Sequence, residues 1–218
     1  MLAAGDSTIV DFSNRYATKD GGWRWLLWSA RSDGEKVYAV AKDITERRAL
    51  ELERDRLLEF AEAAARTDEL TGLPNRRWWD EELQREVARA RRNAAHLAVV
   101  MLDIDRFKEF NDREGHHAGD ALLREAAMNW RLVLRVSDFL ARYGGDEFSM
   151  LLPDCPPHYA ESVLDRVRAA TPHGRGCSAG VAYWADDENA EALVKRADRA
   201  LYAAKGTGRN RTVTADAA

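Results

Sequence analysis

Four acids in this chain stand where acids are expensive. Asp103 and Asp105 follow the apolar run Leu97–Leu102 in LAVVMLDIDRFKEFND, and Asp146 and Glu147 follow Gly144 and Gly145 in RYGGDEFSMLLP. Carboxylates at the end of a buried strand need a compensating partner, either a base or a metal ion. Asp103 and Asp105 are two apart, so an extended backbone directs both to one side and Ile104 to the other, leaving the Ile104 carbonyl near any ion that Asp103 faces. Gly144 and Gly145 suit a two-residue primed turn, in which positive φ costs glycine little. Such a turn carries Asp146 and Glu147 to the hairpin rim. If the hairpin lies beside the strand that ends at Asp103, Asp103 and Asp146 converge with hard oxygen donors. That donor set favours Mg²⁺ held jointly with water and substrate phosphates. An ion there polarises a phosphate and lowers the pKa of an attacking hydroxyl. A Gly-Gly-Asp turn alone carries little weight, since turn chemistry selects those residues without any function.

The elements that must position these acids can be read from patterning. Residues 97–102 are apolar throughout, as in a central buried strand. Helices are expected over 78–92, 118–135, 157–170 and 188–205, with further strands over 138–142, 148–152 and 176–183. Helices interleaved with strands and one hairpin indicate an α+β fold, an α/β sandwich with helices over a mostly antiparallel sheet. Before it, residues 44–66 lack Gly and Pro and are dense in helix formers. Leu50, Leu57 and Ala64 recur at sevens, with Phe60 on a second seam position and Glu53 interrupting it, so the helix is either paired or a solvated linker. Residues 1–43 read as strands around GGWRWLLWSA and KVYAVAKD. Trp23, Trp25 and Trp28 either pack on one sheet face or line a ligand pocket.

The bulk numbers bound the function. The chain has 218 residues, 45% of them hydrophobic and 32% charged, enough for a real core. Its net charge of -4 disfavours general binding of nucleic acid, though a small cluster of bases can still grip one polyphosphate. No apolar run is long enough to span a bilayer and no basic segment precedes an apolar one at the start, so the expectation is a cytoplasmic chain with no membrane partner. Cys155 and Cys177 are the only cysteines, too few for a disulfide framework or a four-thiolate metal site.

From DELTGLPNRR through DIDRFKEFND, GHHAGD, RVSD, RYGGDEF and SAGVA to ADRALYAAKGTGRN, the motifs resemble the GGDEF family of diguanylate cyclases over residues 67–212. The resemblance implies a palm-like domain similar to nucleotide cyclases and polymerases. It further implies condensation of two GTP into cyclic di-GMP with release of two pyrophosphates, by a homodimer using Mg²⁺, with Mn²⁺ as an alternative. Carried onto this chain, Asp103, Asp146, Glu147 and the Ile104 carbonyl hold metal, and Glu147 supports metal binding or deprotonation of the 3′-hydroxyl. Asn111 and Asp120 read guanine, and Phe107 joins the substrate site. Lys108, Lys205 and Arg209 neutralise the triphosphate. Lys205 and Arg209 are four apart, so a persisting helical turn would face both to one anion.

Arg135 and Asp138, in RVSD, stand at the spacing of the family's inhibitory product site. Local sequence alone reads them as a helix-terminal ion pair. His116 and His117 are adjacent and do not face one metal easily. NRYATKDGGWRWLLWSA and the closing DITERR resemble the last strands of a PAS sensor domain, giving a partial PAS-like segment over 1–43, a signalling helix over 44–66 and a disordered tail over 213–218. The alternatives to an active cyclase are a noncatalytic receptor for cyclic di-GMP and a GTP-binding signalling scaffold. Intact Asp146, Glu147, Lys205 and Arg209 speak for the enzyme.

Overall fold

The computed structural model describes residues 8–32, 35–185 and 188–216, without the side chains of 8–11, 32, 59, 60, 63 and 64. It divides into two compact units, Met1–Ala63 and Ala64–Ala218.

The first unit is an antiparallel meander of β1 (Thr8–Ala17), β2 (Trp23–Ser32) and β3 (Val37–Asp43), followed by α1 (Thr45–Arg66). Asp43 caps the helix by accepting from the Thr45 amide at 2.9 Å, and the Thr45 hydroxyl in turn accepts from the Trp25 amide at 2.8 Å. The tryptophans of β2 are spread along the strand rather than gathered round one cavity. Arg48 lies over the Trp25 ring, while Trp28 stacks on Phe12 and donates to Asn14. Leu50 and Leu57 remain 64% and 59% exposed, so this part of the seam is unburied. The side chains of Phe60 and Ala64 lie outside the described residues.

The second unit is a five-stranded sheet in the order β5-β6-β4-β7-β8. Its elements are α2 (Arg76–Asn93), β4 (Leu97–Ile104), α3 (Phe107–Glu114), α4 (His116–Val133), β5 (Phe139–Gly144), β6 (Glu147–Pro153), α5 (Pro157–Ala170), β7 (Cys177–Tyr183), α6 (Ala190–Gly206) and β8 (Thr212–Thr214). Every pairing except β7 with β8 is antiparallel. β4 occupies the middle and is buried along its whole length. Its alternation feeds two cores. Ala98, Val100, Leu102 and Ile104 pack with α3, α4 and α5, whereas Leu97, Val99 and Met101 pack with α2 and α6. The same period puts Asp103 on the α6 side. No helix among the described residues is long and apolar enough to cross a membrane.

Three local readings change. The segment after Asp105 forms a helix of its own, α3, separated from α4 by Gly115 at φ 87°. The tail expected from residue 213 instead continues β8, with the Ala215 amide donating to the Val181 carbonyl at 2.8 Å; residues 217 and 218 lie outside the described residues. A three-residue parallel edge strand is too short to carry a period-2 signal. The turn also moves by one residue. Gly144 pairs with Glu147 after a register shift, so the two central residues are Gly145, at φ 56°, and Asp146. Tyr143 is the extra residue of the bulge while Gly144 stays in the ladder, and of the two glycines only Gly145 needs glycine's freedom.

Cys155 and Cys177 are buried and unpaired, and burial pushes the Cys155 thiol up to about 11. Where β7 crosses α6, contact is close enough that a Cβ on Gly180 would stand 2.1 Å from both the Ala197 carbonyl oxygen and the Leu201 nitrogen. Gly180→Ala should therefore lower stability by about 1–3 kcal/mol, read as a lower urea midpoint at unchanged slope; an unchanged midpoint would contradict this packing.

Candidate active site

Asp103, next to last in β4, is 7% exposed and pairs in register with Glu147, the first residue of β6. Asp146 precedes Glu147 in the turn, so the charges of both bear on Asp103 at one end of the sheet. Burial, together with the charges of Asp146 and Glu147, pushes the Asp103 carboxyl up to about 6, against the pull of Lys205. The Lys205 ammonium donates to Asp103 Oδ2 at 2.6 Å. A cation thus already occupies the side of Asp103 that faces α6.

The Ile104 side chain is fully buried on the opposite face. Asp105 N donates to the Gly176 carbonyl at 3.0 Å, which turns the Asp105 backbone toward β7. Antiparallel alternation then directs the Ile104 carbonyl the other way, toward the β6 side and the Gly145-Asp146 turn.

Asp105 does not join Asp103. Its carboxylate accepts from Ser178 Oγ at 2.6 Å and from the Asn210 amide at 2.8 Å. It lies just past the end of β4, so same-side geometry no longer applies, and it anchors the segment after α6. That segment carries Arg209, which stands at φ 60° beyond the last helical residue, Gly206. The helical turn does not persist, so Lys205 and Arg209 are not stacked one turn apart as expected. Arg209 instead lines a cleft of about 280 Å³ with Arg106, Arg175 and Gly208. Nothing in the spacing of Arg106 or Arg175 marks them in the sequence, because loops from three elements assemble that cleft.

On the other side of the strand end, α3 begins with half-buried Phe107 and exposed Lys108. Asn111 on α3 sits against Gly119 on α4; a Cβ there would fall 1.8 Å from Asn111 Oδ1. That oxygen is buried with no hydrogen-bond partner among the described residues. Asp120, half-buried, follows Gly119 directly. An orphaned acceptor of this kind suits a ligand edge that presents N–H donors. His116 and His117 begin α4, both exposed.

The turn itself is held by residues that the motif reading passes over. Arg142 on β5 donates to the Gly145 carbonyl through Nε and Nη2, at 3.0 and 2.8 Å, and through Nη1 to both oxygens of Asp68, at 3.0 and 3.1 Å. Burial opposes ionisation of Asp68, but the Thr71 hydroxyl and amide and Arg142 hold its carboxyl below the usual carboxylate range. Asn75 then ties the same loop to the end of α1, its amide nitrogen donating to the Ala65 carbonyl at 2.9 Å. Asp68, Thr71 and Asn75 belong to DELTGLPN, a segment whose sequence shows only a turn.

Arg135 and Asp138 close the loop between α4 and β5. Asp138 Oδ2 accepts from the Arg135 amide at 2.9 Å, not from the guanidinium, so the expected side-chain ion pair is not formed. Among the described residues, no group of three or more His, Cys, Asp or Glu side chains is arranged to hold a metal by itself.

Comparison with known proteins decides the family. The model of the family described as diguanylate cyclase, GGDEF domain, matches residues 65–211. The chain belongs to the GGDEF family. It is 45% identical over 164 residues to diguanylate cyclase DgcP of Pseudomonas aeruginosa, covering 71% of this chain and 24% of DgcP. It is 39% identical over 160 residues to the response regulator PleD of Caulobacter vibrioides, covering 67% of this chain and 35% of PleD. Among solved structures, the coiled coil and GGDEF domain of DgcB from Caulobacter crescentus, in complex with c-di-GMP, superposes with a TM-score of 0.73 at 35% identity, covering 78% of this chain and 96% of that one. The chain therefore spans about a quarter to a third of the length of these two curated relatives.

Arg142 holds the turn of this GGDEF domain, so if the chain turns over a nucleotide as a diguanylate cyclase does, Arg142→Gln should lower turnover by about tenfold or more while leaving the KM for nucleotide nearly unchanged. Steady-state kinetics checks this; a raised KM at constant turnover would contradict it.

Proposed function

We propose that the chain condenses two GTP into cyclic di-GMP, releasing two pyrophosphates. The observation that supports this reading is that Asp103 stands in register with Glu147, feels the charges of Glu147 and Asp146, and already has Lys205 against it. A noncatalytic receptor has no use for such a concentration of charge. The names of DgcP and other relatives as diguanylate cyclases support the same reading.

The donor set fits a hard divalent ion: carboxylates, a main-chain carbonyl and no thiol or imidazole. Asp103, Asp146, Glu147 and the Ile104 carbonyl would hold Mg²⁺, with Mn²⁺ as an alternative. When bound, the ion supplies charge neutralisation at the α-phosphate and acidifies the attacking 3′-hydroxyl. Lys205 keeps Asp103 compensated until the nucleotide arrives and then serves the phosphates with Lys108 and Arg209. Asn111 Oδ1 and Asp120 accept from the N1–H and N2–H donors of guanine, which adenine lacks on that edge. Phe107 packs beside them. Glu147, opposite Asp103, would receive the hydroxyl proton.

One domain holds one GTP, yet each 3′-hydroxyl must attack the α-phosphate of the other nucleotide. Two domains facing each other supply that orientation, which accounts for a large share of the rate. The exposed Leu50 and Leu57 of α1 are suited to bring two chains together. In this reading the PAS-like strands and α1 set the spacing of the two catalytic domains in the cytoplasm, and product bound at Arg135 and Asp138 inhibits.

Incubation of the purified chain with GTP and Mg²⁺, followed by chromatography, should yield cyclic di-GMP, and Asp146→Asn should reduce the rate by about a hundredfold or more. Cyclic di-GMP binding without any product formation would instead establish the receptor, and full-rate turnover by a strict monomer would remove the dimer.

A further inference from the structure

The Arg135 guanidinium has a partner, though not the acid beside it. Its carbon lies 3.8 Å from the ring centroid of Tyr159 in the first turn of α5. Tyr159 is itself held, half-buried against the main core, with its amide donating to the Pro156 carbonyl at 2.9 Å. Asp138 is spent on the Arg135 main chain, and among the described residues no carboxylate pairs with the Arg135 guanidinium. Burial raises the Asp138 pKa, and the charges of Arg135 and Arg166 oppose that rise, so two bases flank this acid. Arg166, also on α5, donates to the Val133 carbonyl at 3.0 Å.

A guanidinium offers two flat faces and a rim of five N–H donors. Stacking on Tyr159 uses one face. The rim stays free in the plane of the group, and fixing that plane removes rotamer freedom that a ligand would otherwise have to remove on binding. A rim presented this way can fork onto the O6 and N7 acceptors of guanine or onto a phosphate. Adenine offers N7 beside an amine, so it satisfies only part of the fork.

We propose that Tyr159 is a positioning residue of the inhibitory site, holding Arg135 flat so that its rim receives a guanine of cyclic di-GMP. The proposal rests on the reading of Arg135 and Asp138 as that site. Tyr159 touches neither the three carboxylates nor the guanine-facing pair, so it acts on inhibition and not on turnover. Its hydroxyl has no part in the stacking, and phenylalanine should serve equally.

Calorimetric titration of cyclic di-GMP onto the full chain tests this with Arg135→Ala, Tyr159→Leu and Tyr159→Phe. Arg135→Ala should abolish binding at this site. Tyr159→Leu should weaken it by about fivefold to tenfold and narrow the preference over cyclic di-AMP, with the uninhibited initial rate and KM for GTP unchanged, and Tyr159→Phe should bind as the wild type does. If Tyr159→Leu loses its initial rate, Tyr159→Met replaces it, filling similar space without a ring. Wild-type affinity in the ringless variant while Arg135→Ala abolishes binding would overturn the role of Tyr159 alone. Tighter binding in that variant would overturn it too, by showing that the ring withholds Arg135. Wild-type binding by Arg135→Ala would overturn the site reading beneath it.

Discussion

A buried acid facing two others is the constraint from which the second unit is best understood. Asp103 has little access to water, and the charges of Asp146 and Glu147 add to the cost of ionising it. Such a cluster persists only where something positive is supplied, and in this chain Lys205 supplies it from the far side of a contact that spans 102 positions of sequence. The helix that carries Lys205 is pressed onto β7 at Gly180, and β7 lies beside β4, so sheet packing and charge compensation are one arrangement. Loosening the packing would withdraw the counterion.

Geometry around that cluster is controlled from outside it. Arg142 bridges the carbonyl of the turn to Asp68, and Asn75 joins the same loop to the last residues of α1. The turn that carries Asp146 is therefore held by hydrogen bonds that run through the loop of Asp68 and Asn75 to the Ala65 carbonyl. Asp105 does the corresponding work for the loop that bears Arg209. Both are charged residues whose task is to hold main chain in place near the chemistry.

Much of this was legible in the sequence. The apolar run ending in Asp103 and the hairpin before Glu147 each had a local signature, while their adjacency was only a condition in the sequence and comes from the pairing of β4 with β6. Asn111 and Asp120 entered through the family resemblance, and the structure adds Gly119 as the reason Asn111 can reach its place. Other features had no local signature. The bulge that shifts the turn depends on pairing between β5 and β6. The left-handed Arg209 depends on Asp105 gripping the next residue, and the stacking of Arg135 on Tyr159 depends on how α5 returns across the sheet. Contacts between distant segments decide the last two, and the bulge, though its strands are neighbours, follows from their pairing register and not from residue type.

The central claim is that Asp103 and Asp146 share one divalent ion, and titration of Mn²⁺ onto the chain with a non-hydrolysable GTP analogue tests it most directly. A carboxyl raised to about 6 must release its proton before it can ligate, so affinity should climb as pH rises through about 6 and level off above, and Asp103→Asn or Asp146→Asn should each weaken it by about tenfold or more. Binding that is independent of pH over this range and equal in both variants would contradict the account.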